Sequence, residues 1–117
     1  MAEEITIYHN PRCSKSRAAL ELLHQQGLEP HIVEYLKNPP SVAELAALLD
    51  LLDLEPRDLM RKKEEVYRQE DLAAADLTRQ DLIQALHDHP HLIERPIVVA
   101  NGKAALGRPP EKILDIL

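Results

Sequence analysis

The chain holds a single cysteine, Cys13, in the segment Tyr8-His9-Asn10-Pro11-Arg12-Cys13-Ser14-Lys15-Ser16-Arg17. An upstream imidazole, the cations of Arg12, Lys15 and Arg17, and the free N–H groups of a helix expected to start here all favour thiolate over thiol. Together they draw the pKa from about 8.5 toward the range of roughly 3.5 to 7.5 found for activated cysteines. Cys13 is therefore a candidate nucleophile. The competing reading is a small buried hydrophobe with an inert sulfur, which is not usually ringed by charge. Cys13-Ser14-Lys15-Ser16 is a Cys-x-x-Ser arrangement with no resolving thiol. Any redox cycle through Cys13 must therefore end in attack by an external thiol, from glutathione or from a cysteine on a partner protein.

A thiolate attacking an oxyanion meets like-charge repulsion of about 4 kcal/mol at 4 Å and an effective dielectric near 20. Such a site needs fixed cations. Arginine suits the task, because its planar fork binds tetrahedral oxyanions bidentately and keeps its charge. Helix N–H groups beyond Cys13 would add an anion cradle.

The elements that must position these groups follow from periodicity. Ile5-Thr6-Ile7-Tyr8 alternates like a strand, and Asn10-Pro11 stops it. Ser14 is read as the cap of a helix over about residues 15–26, with Ala18, Ala19, Leu22 and Leu23 on its apolar face and Gly27 as a left-handed stop. His31-Ile32-Val33-Glu34-Tyr35 reads as a second strand, giving a β-α-β crossover with parallel strands. Ser41-Val42-Ala43-Glu44 is a capping box opening a helix that carries Leu45, Leu48, Leu49 and Leu52. Pro56 starts a shorter helical segment through Leu59 and Met60, and Thr78-Arg79-Gln80-Asp81 starts another that buries Leu82, Ile83 and Leu86. Residues 41–88 thus form a mostly helical insertion. Asn101-Gly102 joins strands at residues 96–100 and 103–106 as a hairpin, and Pro109-Pro110 precedes a last helix with Ile113, Leu114 and Leu117. The whole is α/β: one domain over residues 1–117 with a mixed sheet.

Composition bounds the rest. At 117 residues with one cysteine, the chain is a single domain without an intrachain disulfide, as expected of a reducing compartment. Met1-Ala2-Glu3-Glu4 lacks the features of a signal peptide and no segment could span a bilayer, so a cytoplasmic location and no membrane partner are expected. A formal net charge of −6 and only three aromatic residues, all tyrosine, argue against nucleic-acid binding.

Four separated motifs, in order, carry a resemblance that covers essentially the whole chain. They are His9-Asn10-Pro11-Arg12-Cys13-x-x-Ser16-Arg17, Leu59-Met60-Arg61-Lys62, Arg95-Pro96-Ile97-Val98-Val99 and Gly107-Arg108-Pro109. They resemble the glutaredoxin-coupled arsenate reductase (ArsC-like) family, in its YfgD-like branch. The resemblance implies a thioredoxin-like fold with a mixed four-stranded sheet and a helical insertion. It implies that Cys13 attacks arsenate to give a thiolate-arsenic(V) adduct and that His9 helps to lower the thiol pKa. Asn10, Ser16 and Arg17 would support the cysteine loop, while Arg61, Arg95 and Arg108 would hold the oxyanion and its reduced products. Pro96 matches a proline that is usually cis beside the active cysteine. Glutathione, a co-substrate, then displaces the adduct, and glutaredoxin reduces the mixed disulfide, releasing arsenite. No bound metal or organic cofactor is implied, and a monomer is expected. Ser14-Lys15 departs from the operon-type enzymes, which carry small uncharged residues there.

Other readings stand beside this one. Arg61 lies in a charge run whose default is a solvated face, as for Lys62 and Lys63; Arg95 could be a boundary residue, whereas Arg108 has a rigid mount in the prolines that follow. His87, His89 and His91 are read as surface residues and not as a metal site. A regulatory module similar to the Spx-type proteins usually carries Cys-x-x-Cys, which this chain lacks. A thiol transferase acting on a glutathionylated protein is the third reading.

Overall fold

The computed structural model describes residues 4–117; Met1, Ala2 and Glu3, read above as part of an N-terminus without a signal, lie outside it. The chain divides into two compact units, one made of the stretch ending at Asn38 together with Arg95–Leu117, the other of Pro39–Glu94.

The first unit is a four-stranded mixed sheet with strand order β2-β1-β3-β4, bearing the thioredoxin-like topology. Strand β1 (Thr6–Tyr8) runs parallel to β2 (His31–Val33) and antiparallel to β3 (Ile97–Ala100), which pairs with β4 (Lys103–Leu106). The parallel pair is joined by helix α1 (Ser14–Gln25), as a crossover requires. Asn101 and Gly102 both have positive φ, 56° and 71°, the geometry that a two-residue hairpin turn selects. Ile5, Ile7, Ala19, Leu23, Val98, Ala100 and Ile113 close into one apolar core between sheet and helix. This aliphatic layer fixes the end of β1, and so the turn that leads into Cys13.

Four expectations are corrected in this unit. Ser14 is not the cap of α1: Cys13 is, with extended backbone at φ −94°, ψ 123°, and Ser14 is the first helical residue. Ala18 is exposed while Ser16, a polar residue, is fully buried on the inner face. Helix periodicity places positions 16, 19 and 23 together, and here the local hydrogen bonds described below outweigh side-chain polarity. The last helix is a 3-10 segment, Pro110–Ile116, that buries Ile113 but leaves Leu114 and Leu117 each 39% exposed, because three residues per turn align positions differently from an α-helix. The second strand is also shorter than read, ending at Val33, with Tyr35 buried beyond it.

The second unit is helical. Helix α2 (Val42–Leu52) opens on the expected capping box, in which Ser41 and Glu44 exchange hydrogen bonds. Helix α4 (Arg79–Asp88) opens on a second one between Thr78 and Asp81. Leu45, Leu48 and Leu49 of α2 and Leu82, Ile83 and Leu86 of α4 are buried. Pro56–Leu59 is a 3-10 turn, after which Met60 extends to bridge Ile93. The five-residue helix α3 (Glu65–Gln69) falls in a polar stretch without helical periodicity, and only Val66 anchors it in the core.

Candidate functional site

The site is built on the turn between β1 and α1. The Asn10 carbonyl accepts the Cys13 N–H at 3.0 Å, Asn10 Oδ1 accepts the Arg12 N–H at 3.0 Å, and Arg17 Nη1 donates to the Pro11 carbonyl at 2.9 Å. Ser16 Oγ accepts the Asn10 N–H at 3.0 Å and is hydrogen-bonded to His9 Nδ1 at 2.6 Å. His9, Asn10, Ser16 and Arg17 therefore converge on one turn, each holding it at a different atom.

The sulfur of Cys13 is partly exposed. Burial raises its pKa, but the Ser16 N–H, the hydrogen bond and charge of the Arg95 guanidinium, and the Lys15 N–H together outweigh that and hold the thiol below its ordinary value of 9.0. No oxygen side chain caps the helix. The sulfur occupies the acceptor position instead, facing the N–H groups two and three residues on, which is where a serine or aspartate oxygen would sit. The side chains of Arg12, Lys15 and Arg17 are exposed, where water screens their charge.

His9 is buried, and desolvation lowers its pKa below 6.5 despite the Glu34 carboxylate, which raises it; Arg17 adds to the lowering. A neutral imidazole supplies no cation to the thiolate, and what lowers the Cys13 pKa is Arg95 with the helix N–H groups. His9 instead anchors Ser16. Replacing Ser16 with alanine should leave the buried ring nitrogen and the Asn10 N–H unpaired, lowering stability by about 1–3 kcal/mol in urea denaturation. The pH dependence has a fixed sign. Because the folded state holds His9 at the lower pKa, the unfolded chain takes up the proton first as pH falls below 6.5. Stability is complete above that pH and declines below it, and His9→Asn should flatten this part of the profile.

Arg95 and Pro96 immediately precede β3. The Arg95–Pro96 bond is cis, as the resemblance implies, and Arg108–Pro109 is cis as well, which no signal in the sequence announces. Arg95 Nε is buried and has no hydrogen-bond partner among the described residues. Arg108 Nη1 donates to the Arg95 carbonyl at 3.2 Å, so these two arginines are neighbours. Gly107 N–H donates to the Pro96 carbonyl at 2.9 Å, and a Cβ on Gly107 would stand 2.8 Å from Pro96 Cγ. Gly107→Ala should force the proline ring and Arg95 aside, at a cost of roughly 1–3 kcal/mol readable in urea denaturation.

Arg61 belongs to the second unit, where Nη1 pairs with Glu64 Oε1 at 2.8 Å and Nε lies 4.0 Å from Glu94 Oε1. Its N–H donates to the Leu92 carbonyl at 2.7 Å. Lys62 and Lys63 are exposed. The histidines at 87, 89 and 91 do not converge: His87 Nδ1 contacts the Pro40 carbonyl at 2.7 Å and His89 Nε2 the Glu70 carboxylate at 3.3 Å. His87 and His89 are half-buried and only His91 is exposed. Among the described residues no group of His, Cys, Asp and Glu is arranged to hold a metal ion, and no helix is long and apolar enough to cross a membrane. Glu34, missed in the sequence, acts on His9 from beyond the end of β2; only a known strand register could have put it there.

Residues 8–116 match the ArsC family. The uncharacterized protein YfgD of Escherichia coli K12 is 52% identical over 100% of this chain and 99% of its own length. An arsenate reductase of Neisseria meningitidis serogroup A is 50% identical over 97% of this chain and 98% of its own. Among solved structures, an arsenate reductase from Vibrio cholerae superposes with a TM-score of 0.97 at 51% identity, each chain covering 100% of the other.

Proposed function

The chain belongs to the ArsC family, and on that premise we propose that it is an enzyme reducing arsenate to arsenite, with Cys13 as nucleophile and glutathione and glutaredoxin supplying the electrons. The observation that carries this reading is a lone thiol held below its ordinary pKa beside Arg95, whose buried Nε lacks a hydrogen-bond partner among the described residues. A buried guanidinium N–H without an acceptor is costly, and a tetrahedral oxyanion would satisfy it.

In the first step the Cys13 thiolate attacks arsenic(V) and an arsenate hydroxyl, taking up a proton from solvent, leaves as water, with no change in oxidation state. Arg95 faces both the nucleophile and the incoming charge, so it offsets the repulsion between two anions as the bond forms. Arg108, hydrogen-bonded to the Arg95 carbonyl, is the second oxyanion ligand, and Arg61 carries the same assignment on the family motif alone. In the second step the glutathione thiolate attacks Cys13 Sγ. The sulfur-arsenic pair stays on arsenic, which leaves as arsenite(III), while the two sulfurs become a mixed disulfide. A glutaredoxin thiolate then takes the glutathionyl group and restores Cys13. Asn10, Ser16, Arg17, Pro96 and His9 act by positioning.

The test is NADPH oxidation coupled through glutathione reductase, glutathione and glutaredoxin. An arsenate-dependent rate is expected; its absence with the folded, reduced protein overturns the assignment.

A further inference from the structure

We propose that the cavity between the Asn10–Arg12 turn and the Glu34–Lys37 turn is where this chain holds glutathione for its attack on Cys13, an inference that rests on the reductase reading and gives its second step a place on the molecule. The cavity has a volume of about 270 Å³, and its walls include Asn10, Pro11, Arg12, Glu34, Leu36 and Lys37. Its position is the first argument. Arg12 is covalently joined to Cys13, and the Asn10 carbonyl holds the Cys13 N–H at 3.0 Å, so one wall of the cavity is the turn that presents the thiol. A ligand seated there lies against the residue that precedes Cys13 in the chain.

The charges are the second argument. Glutathione at neutral pH carries two carboxylates and one ammonium group. The cavity offers two cations, Arg12 and Lys37, and one carboxylate, Glu34. Lys37 Nζ now lies 3.6 Å from Glu34 Oε1, with the lysine side chain 76% exposed. An ion pair that exposed contributes about 0–1 kcal/mol, so exchange of its partners for those of a ligand is cheap. Leu36, 43% exposed, and Pro11 supply an apolar wall for the ligand's methylenes. The volume lies just below the common range for ligand sites of roughly 300–1,000 Å³, which suits a tripeptide and is too small for a dinucleotide. A second cavity, of about 330 Å³, lies within the helical unit. It is lined by Asp50, Asp53, Glu55 and Asp58, with Arg79 already paired to Asp50 and Glu55, and it would repel a net-anionic thiol.

The chemistry adds nothing to the balance already given: the bound thiol loses its proton to solvent, its sulfur bonds to Cys13 Sγ, and arsenic keeps the electron pair of the bond that breaks. What the cavity supplies is effective concentration and direction.

Two measurements test this. In Cys13→Ser protein, which cannot form the mixed disulfide, titration with reduced glutathione should shift the backbone amide NMR signals of Asn10, Arg12 and Glu34–Lys37. Arg12→Ala and Lys37→Ala should each weaken that binding about tenfold. In the coupled assay the same two substitutions, made with Cys13 intact, should raise the KM for glutathione about tenfold and leave the KM for arsenate in place, while Lys103→Ala, which removes an exposed charge elsewhere, changes neither. A wild-type glutathione KM in the Arg12→Ala/Lys37→Ala double variant, with arsenate reduction intact, overturns the site and spares the reductase. Amide shifts at these residues without any arsenate-dependent rate support the site and overturn the reductase. Shifts that require glutaredoxin and are absent with glutathione alone also overturn the proposal, assigning the cavity to a protein partner.

Discussion

Cys13→Ser leaves no arsenate-dependent NADPH consumption above the background of the coupling enzymes, a fall of more than about 10³-fold in kcat. The magnitude follows from the chain's thiol inventory. Cys13 is the only cysteine in the sequence, so no neighbouring thiol can take over either the attack on arsenic or the mixed disulfide. Serine keeps the size of the side chain and can cap α1 with its hydroxyl, so the fold should survive the exchange. Urea denaturation of the variant should match the wild type to within about 1 kcal/mol, which separates loss of chemistry from loss of structure. Undiminished arsenate reduction in Cys13→Ser would remove this thiol from the mechanism.

Arg95→Ala should act on two quantities at once. Arg95 lowers the Cys13 pKa both by hydrogen bond and by charge, so its removal raises that pKa. The N–H groups of Ser16 and Lys15 remain and still oppose the desolvation that raises it. Iodoacetamide alkylation follows the thiolate, so its rate climbs with pH through the thiol's pKa, and the midpoint should move upward in the variant. Arsenate turnover should fall further than thiolate loss explains, by about 10²-fold in kcat/KM, because the oxyanion loses its fixed donor as well. Arg95→Lys separates the two effects: a lysine restores much of the charge beside sulfur but not the planar fork, so alkylation should recover more than turnover does. An alkylation midpoint unmoved in Arg95→Ala would place the pKa depression with the helix alone.

Much of this molecule could be read before its coordinates, and the reasons are local. The capping boxes at Ser41 and Thr78, the Asn101-Gly102 turn and the β-α-β order each depend on a few neighbouring residues, and each stands in the structure as read. The misreadings arise where sequence neighbours compete with distant ones. Ser14 has the better side chain for a helix cap, yet Cys13 takes the position because the Asn10 carbonyl holds its N–H. Ala18 fits the apolar face of α1 by its type, yet Ser16 is the residue buried there, its hydroxyl bonded to His9 and Asn10. The cations of Arg12, Lys15 and Arg17 are conspicuous in the sequence, but the guanidinium against sulfur comes from Arg95, two residues before β3, a strand that the sheet topology pairs with β1. The Cys13 motif identified where the chemistry lies; which charge tunes it was a question of tertiary structure.

The placement of Cys13 as the N-cap of α1 ties the proposed redox cycle to the integrity of that helix. Its folded pKa is depressed, so ionisation stabilises the fold; that contribution is present above the thiol's unfolded pKa and is lost as pH falls through its lower folded value. In the proposed cycle the mixed disulfide with glutathione removes the charge from the sulfur just as a proton does. The N–H groups of Lys15 and Ser16 then face a neutral sulfur in place of a thiolate, and the first turn of α1 should be held less firmly in that form than in the free enzyme.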